Sequence, residues 1–238
     1  NATTFVKGLS IAYNLGNCKL LVEAGVYDII SELGQLVIST EDGGGLSEEN
    51  WGLLIGNNVR VIGNGNVKLT ANYTGSSKNV TDYFSILNST GSFELNEINM
   101  ECQNVRYCLH EDIAGITTEP PSTSAKVINC NMKHKGTVST TYSAPCCIGA
   151  GTSYNESVSI EGGYYSSPSS YPYPISYHNG FNSGNTAILR LSNVKFADGN
   201  TLRLFGFVEN GSFVDVYLNN FSLDIHYEGA VDRFNVYN

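Results

Sequence analysis

Charge is scarce in this sequence. Asp, Glu, Lys and Arg make up 15% of the 238 residues, and 22 acidic residues against 13 basic ones give a net charge of −9. The basic residues form no cluster along the chain. Binding to nucleic acid and to an anionic membrane surface both need such a cluster. No apolar run approaches the roughly 18 residues of a transmembrane helix. We therefore expect no nucleic-acid partner and no membrane insertion.

Sequence motifs that bind a metal or a cofactor are also missing. The cysteines lack the paired spacing of a zinc site, and no other set of potential ligands has a recognisable spacing. We therefore predict no metal and no cofactor. Disulfides are possible, but parallel neighbours in register have poor geometry for them, so we expect mostly reduced, buried thiols. The cysteines are Cys18, Cys102, Cys108, Cys130, Cys146 and Cys147.

Glycine and tyrosine, by contrast, are abundant. The chain has 25 Gly and 15 Tyr, a composition typical of short strands joined by tight turns. One pattern recurs at intervals of 33, 32, 33, 31 and 27 residues. It consists of an apolar residue, two polar or small ones, an apolar residue, any residue and an apolar residue. Its copies are Ile62-Gly65-Val67, Leu95-Ile98-Met100, Val127-Cys130-Met132, Ile160-Gly163-Tyr165, Leu191-Val194-Phe196 and Leu218-Phe221-Leu223.

The spacing inside this repeat predicts a bend. Side chains of a flat strand alternate between two faces, so the three apolar positions share one face only if the chain turns a corner after the first. Asn and Gly tolerate the left-handed backbone of a sharp corner, and they occupy the corner at Gly63-Asn64, Asn96, Asn129, Gly162, Asn193 and Asn219-Asn220. Stacked copies would bury one continuous core. We therefore predict an all-β right-handed parallel β-helix of about seven turns. A β-sandwich, which wants hairpin signals every 8–12 residues, is disfavoured.

We predict a single domain for residues 1–238. Residues 1–56 would form an N-terminal cap and first turn, 57–230 the repeated turns, and 231–238 a tail. Short helices over the N-terminal opening are predicted within residues 35–40 and 48–54. The chain begins at Asn1 without a signal peptide, which indicates a processed chain or a segment of a longer one. Because solenoid ends need capping, we expect another chain or domain at the C-terminal end.

Two strand-like runs end in histidine. VRYCLHED (residues 105–112) and ISYHNG (residues 175–180) place His110 and His178 at similar positions two turns apart, about 10 Å from each other. Gly149 and Ala150 would form the floor of a trough between the two histidines. We predict ligand binding there by His110, His178 and the neighbouring Tyr177 and Asn179, although a histidine that ends a strand is often a packing residue.

A loop and a pair of carboxylates adjoin this trough. SSPSSYPYP (residues 166–174) cannot extend a regular strand. It predicts a bulging loop that holds Tyr171 and Tyr173 exposed, as further ligand-binding residues. The alternative is a plain packed loop. Glu111 and Asp112 are the candidate catalytic residues. They point to opposite faces of a strand, so glycoside hydrolysis would need a second carboxylate from another turn. The possible partners are Glu101, Glu161 and Glu209.

The runs LLVEAGVYDI and NVRVIGNG, the Asn corners and the two histidine strands together resemble pectin-lyase-like right-handed β-helix proteins. The version most similar is the β-helix region of bacteriophage tail spikes and tail fibres. The resemblance implies a trimer, or assembly with other tail proteins, that recognises host-surface polysaccharide on a virion or outside the cell. A calcium-binding Asp cluster and an Arg base are missing, so we expect this segment to be non-catalytic. The alternatives are a polysaccharide-degrading enzyme and a bacterial surface adhesin.

Overall fold

Parallel strands make up most of the protein. The computed structural model describes residues 1–34, 52–76, 80–81, 84–89, 91–111, 122–137, 143–149, 155–178, 186–207, 213–220, 225–229 and 233–238. Within these residues the helices are α1 (Phe5–Leu15) and α2 (Ile29–Leu33). The strands are β1 (Lys19–Asp28), β2 (Gly52–Ile55), β3 (Val59–Asn72), β4 (Ser85–Ser89), β5 (Phe93–Gln103), β6 (Tyr107–Glu111), β7 (Ser122–Ile128), β8 (Met132–His134), β9 (Ala144–Ile148), β10 (Asn155–Glu161), β11 (Tyr164–Ser166), β12 (Ile175–His178), β13 (Thr186–Ser192), β14 (Lys195–Phe196), β15 (Leu202–Phe207), β16 (Phe213–Asn219), β17 (Ile225–Gly229) and β18 (Arg233–Tyr237).

The strands form two parallel sheets. The first sheet has 11 strands, and its long strand β5 pairs with β7 through one half and with β8 through the other. The second sheet has seven strands in the order β17-β15-β12-β9-β6-β4-β2. Each strand therefore lies beside its equivalent in the next repeat. The prediction of an all-β protein with long parallel sheets is confirmed, and this pairing is compatible with a β-helix.

The pairing register follows the sequence repeat, except in the first copy. Leu95 lies opposite Val127, and Val127 lies opposite Ile160, so the leading positions of these copies stack as predicted. The first copy was aligned wrongly, because Val61 and not Ile62 lies opposite Leu95. A register shift between Ile62 and Val67 makes this corner longer than the others.

Asn and Gly form most of the predicted corners. Asn129, Gly162, Asn193 and Asn220 have φ of 51°, 65°, 56° and 54°. This is the left-handed region that the corners require and that these two residue types tolerate best. In the second copy Glu97, with φ of 57°, takes the place predicted for Asn96.

The core lies between the two sheets and is closed at one end by helix α1. In α1, Phe5, Leu9 and Ala12 are buried at helical spacing, and the helix packs against β1 and β2. The side chain of Thr4 caps its N-terminus. This helix was not predicted, although the apolar spacing and the Thr cap were signals for it.

Two boundary predictions change in the structure. Residues 233–237, predicted as a tail, form β18, which pairs with β16. The helix predicted for residues 48–54 is wrong from Gly52 onward, since β2 begins there. The helix predicted for residues 35–40 lies outside the described residues.

Candidate functional site

A row of side chains runs across the outer face of the second sheet. In β6, Leu109 belongs to the core and His110 follows it on the opposite face. His110 lies opposite Cys147 of β9, Cys147 opposite Ser176 of β12, Ser176 opposite Arg203 of β15, and Arg203 opposite His226 of β17. Five strands thus place two imidazoles, a thiol, a hydroxyl and a guanidinium in one line, about 19 Å long at 4.8 Å per strand.

The loop of residues 166–174, which we call the Tyr-Pro loop, folds over this row. The backbone N–H of Tyr171 donates to the carbonyl of Pro168 at 2.9 Å, which closes a turn inside the loop. The carbonyl of Pro172 accepts from the N–H of Thr201 at 2.8 Å, and the carbonyl of Pro174 accepts from Cys146 at 3.1 Å. The loop is thereby fastened to the second sheet. It does not bulge into solvent as predicted, and Tyr171 and Tyr173 are half-buried.

Arg203 is the centre of an aromatic cluster under the loop. Its guanidinium lies 5.6 Å from the ring centroid of Tyr171 and 5.4 Å from that of Tyr173, and it donates a hydrogen bond to the Tyr171 hydroxyl. The Tyr171 and Tyr173 rings meet edge to face at 5.0 Å, and the Tyr173 ring stacks on His226 at 5.2 Å. Burial raises the pKa of Tyr171 to about 12 against the opposing charge of Arg203. Tyr171 is therefore a neutral ring at ordinary pH.

A second cluster adjoins the first at β6. The Tyr107 and His110 rings stack at 4.7 Å with 16° between their planes, and the Arg106 guanidinium lies 4.9 Å from the Tyr107 centroid. Tyr107 packs with Cys147, and Tyr171 lies against both. Tyr171 thus joins the two clusters into one surface, which we call the aromatic strip. It consists of Arg106, Tyr107, His110, Tyr171, Tyr173, Arg203 and His226.

The strip has a rigid base and an accessible rim. Tyr107 and Arg203 are buried, whereas His110, Tyr173 and His226 are partly exposed. Aromatic faces bind apolar C–H surfaces, and their polar ends form hydrogen bonds at little entropic cost. Such a surface suits a flat ligand that has both apolar faces and hydroxyl groups.

Two predicted binding residues do not lie in the row of His110. Tyr177 is fully buried in the core, where its hydroxyl donates to Oε2 of Glu156 at 3.0 Å. Its predicted place beside a surface trough is therefore wrong. His178 lies opposite Phe205, two residues beyond Ser176, so Ser176 and not His178 occupies the row of His110. Asn179 and Ala150, which belonged to the same trough, lie outside the described residues.

The candidate catalytic residue Glu111 also lacks access to the strip. Glu111 is fully buried, and its Oε2 accepts from the backbone N–H of Gly149 at 3.1 Å. Its carboxylate therefore cannot reach a polymer on the outer face. Among its predicted partners, Glu101 forms ion pairs with Lys68 and Lys135 at 3.2 and 2.5 Å. Asp112 and Glu209 lie outside the described residues, and Glu161 is an exposed residue of β10 in the first sheet.

Four of the seven residues of the strip were not predicted to bind a ligand. They are Arg106, Tyr107, Arg203 and His226. A signal existed, because Ser176, Arg203 and His226 each stand second in their strands. Aligning the strands by their first residues would have placed these three in one row.

A shallow depression lies elsewhere, at the corners of the first sheet. It has a volume of about 650 Å³ and is lined by Asn131, Tyr164, Lys195, Asn193 and Asn220, among others. The Tyr164 ring is 47% exposed. The depression has no second aromatic residue in its lining. We therefore regard it as a weaker candidate that competes with the aromatic strip.

Comparisons with protein-family models, with curated proteins and with solved structures found no match for this chain. None of the helices in the described ranges is long and apolar enough to cross a membrane.

Proposed function

We propose that this chain is a right-handed parallel β-helix of the bacteriophage tail spike or tail fibre type, and that it recognises host-surface polysaccharide with the aromatic strip. The observation that carries the proposal is the strip itself. Its rings and guanidinium groups lie at β6, β15, β17 and the loop above them, and contacts among them hold them there without a ligand. In this proposal the protein works on a virion or outside the cell.

The shape and chemistry of the strip favour a sugar polymer. A row about 19 Å long can follow several sugar rings in line, and the partly exposed rings of Tyr173 and His226 offer stacking faces. Imidazole and guanidinium groups donate hydrogen bonds to hydroxyl oxygens. The ring contacts preorganise the surface, so little side-chain freedom is lost on binding.

A single strip would bind weakly, since each ring contact contributes only about 0.5–1.5 kcal/mol. Several strips presented together on a repeating polymer raise the overall affinity without any new contact. We therefore propose that the chain acts as a homotrimer or together with other tail proteins. A bacterial surface adhesin would use the same surface in the same way.

The test is binding of purified capsular polysaccharides and lipopolysaccharides to the immobilised protein. Tyr173→Ala removes the ring that stacks on His226 at 5.2 Å. Tyr237→Ala is the matched control, because it removes a ring stacked on Tyr217 at 4.6 Å on the first sheet. We expect Tyr173→Ala to weaken binding about tenfold, the effect of about 1.4 kcal/mol, and Tyr237→Ala to leave it unchanged.

Two results would overturn the proposal. Equal affinity of the wild type and Tyr173→Ala for a bound glycan would remove the aromatic strip from recognition. Shortened polysaccharide chains in a mass spectrum after incubation would make the protein an enzyme. A Glu111→Gln variant that abolished such cleavage would then place the chemistry inside the core.

A further inference from the structure

Cys102 and Cys108 meet at the edge of the core where the chain passes from the first sheet to the second. Cys102 lies near the end of β5, after the buried Ile98 and Met100. Cys108 lies at the start of β6. Both thiols are completely buried. The chain turns between them at Asn104, which has φ of 56°.

The two sulfur atoms are close to bonding distance. Sγ of Cys108 lies 3.1 Å from Sγ of Cys102, only about 1 Å beyond the length of a disulfide bond. The two residues belong to different sheets and are not parallel neighbours in register. The poor geometry that disfavours disulfides between stacked strands therefore does not apply to this pair.

The other cysteines have different surroundings. The Cys130 thiol lies 3.3 Å from the carbonyl oxygen of Ile128, and Cys18 lies 3.5 Å from that of Ala12. Cys147 packs with Tyr107 on the outer face. Among the described residues, no three Cys, His, Asp or Glu side chains are placed to hold a metal ion. Cys146 is buried in the core, where burial and the nearby thiols of Cys147, Cys108 and Cys130 raise its pKa. Among the described residues, Cys102 and Cys108 are the pair whose sulfur atoms lie in contact, at 3.1 Å.

We propose that Cys102 and Cys108 form an intramolecular disulfide when the protein folds in the presence of a small-molecule disulfide such as glutathione disulfide. One cysteine thiolate attacks a sulfur of glutathione disulfide, which breaks its S–S bond and releases one glutathione. The second cysteine thiolate attacks the protein sulfur of the mixed disulfide and releases the other. Two electrons pass from the cysteines to glutathione disulfide, and the two thiol protons end on the released glutathiones.

The bond forms during folding, not afterwards. In the folded protein both thiols are closed to solvent, and burial raises the pKa of Cys102 well above its ordinary value, so little reactive thiolate is available. Once formed, the bond is protected by the same burial. The proposal does not depend on the proposed function.

The test is a peptide map of protein refolded from a reduced, denatured state with glutathione disulfide. Free thiols are blocked with N-ethylmaleimide before digestion with trypsin. Arg106 lies between the two cysteines, so trypsin separates them into peptides 79–106 and 107–126, which contain one cysteine each. We expect these peptides to be joined and the other thiols to be blocked. Protein produced in an oxidising compartment of the expression host is mapped in the same way.

Thermal unfolding gives a second readout. Closing this short loop should raise the midpoint temperature of the oxidised form about 5 °C above that of the reduced form. Cys102→Ser should abolish the difference, while the matched Cys130→Ser, which changes another buried thiol, should keep it. A map in which Cys102 and Cys108 carry N-ethylmaleimide, or are joined to other cysteines, would overturn the proposal.

Discussion

Two fully buried tyrosines differ in one respect that stability measurements can detect. Tyr177 donates its hydroxyl to Oε2 of Glu156 at 3.0 Å. The hydroxyl of Tyr165 has no hydrogen-bond partner within the described ranges. Both side chains belong to the same core and are 0% exposed. Replacing each by Phe removes the same single oxygen atom from two different environments.

The expected effects have opposite signs. A hydrogen bond to a carboxylate contributes about 1.5–3 kcal/mol, and its loss leaves the buried Glu156 with one donor fewer. Tyr177→Phe should therefore lower the free energy of unfolding by about 2 kcal/mol. Tyr165→Phe removes a buried hydroxyl that has lost its water without gaining a partner, so it should raise stability by about 1 kcal/mol.

The assay is unfolding in urea and by heat, followed by circular dichroism. For a chain of this size, about 2 kcal/mol corresponds to roughly 4–8 °C in the midpoint temperature. The wild type should therefore lie between the two variants. If Tyr177→Phe is as stable as the wild type, or if both variants lose stability equally, the hydrogen bond assigned to Glu156 is wrong.

Two further predictions concern the corners and the response to acid. Gly163 and Gly199 both have positive φ, but a Cβ at Gly163 would overlap the carbonyl oxygen of Cys130, whereas nothing lies within 4 Å of one at Gly199. Gly199→Ala should lower the free energy of unfolding by about 1 kcal/mol, and Gly163→Ala should lower it by at least twice that amount. Urea unfolding measures both, and equal losses would contradict the corner geometry. Burial lowers the pKa of His134, whose Nε2 lies 2.8 Å from the carbonyl oxygen of Val105. The stability that the neutral imidazole contributes is fully present above about pH 6.5 and is lost as the pH falls through its folded-state pKa. His134→Gln should therefore flatten the decline in midpoint temperature below about pH 6.5. An unchanged decline would refute this.

The corners could be predicted from the sequence because their chemistry is local. A left-handed backbone selects Asn or Gly at one position, as at Asn129 and Gly162. Glu97 shows the limit of this rule, since it adopts the same conformation without the favoured side chain. Because Asn is the favoured residue type, the corner was predicted at the neighbouring Asn96, one residue before its actual position.

The register of the second sheet could not be predicted in the same way. Alternation of apolar and polar residues tells which face a side chain takes, but it is lost where all five residues of a strand are buried, as in β9. His110 and His178 were therefore aligned two residues out of step. Folding of the Tyr-Pro loop onto Arg203 depends on contacts about 30 residues apart along the chain, which no local pattern contains.

Hydroxyl-radical footprinting with and without a bound polysaccharide shows directly whether the aromatic strip binds the glycan. Side chains covered by the glycan are oxidised more slowly, and each tyrosine and histidine is read separately by mass spectrometry. We expect protection of Tyr173, His226 and His110, with Tyr164 oxidised at an unchanged rate. Protection of Tyr164 while the aromatic strip stays unprotected would refute recognition by the strip and place glycan binding at the corners of the first sheet.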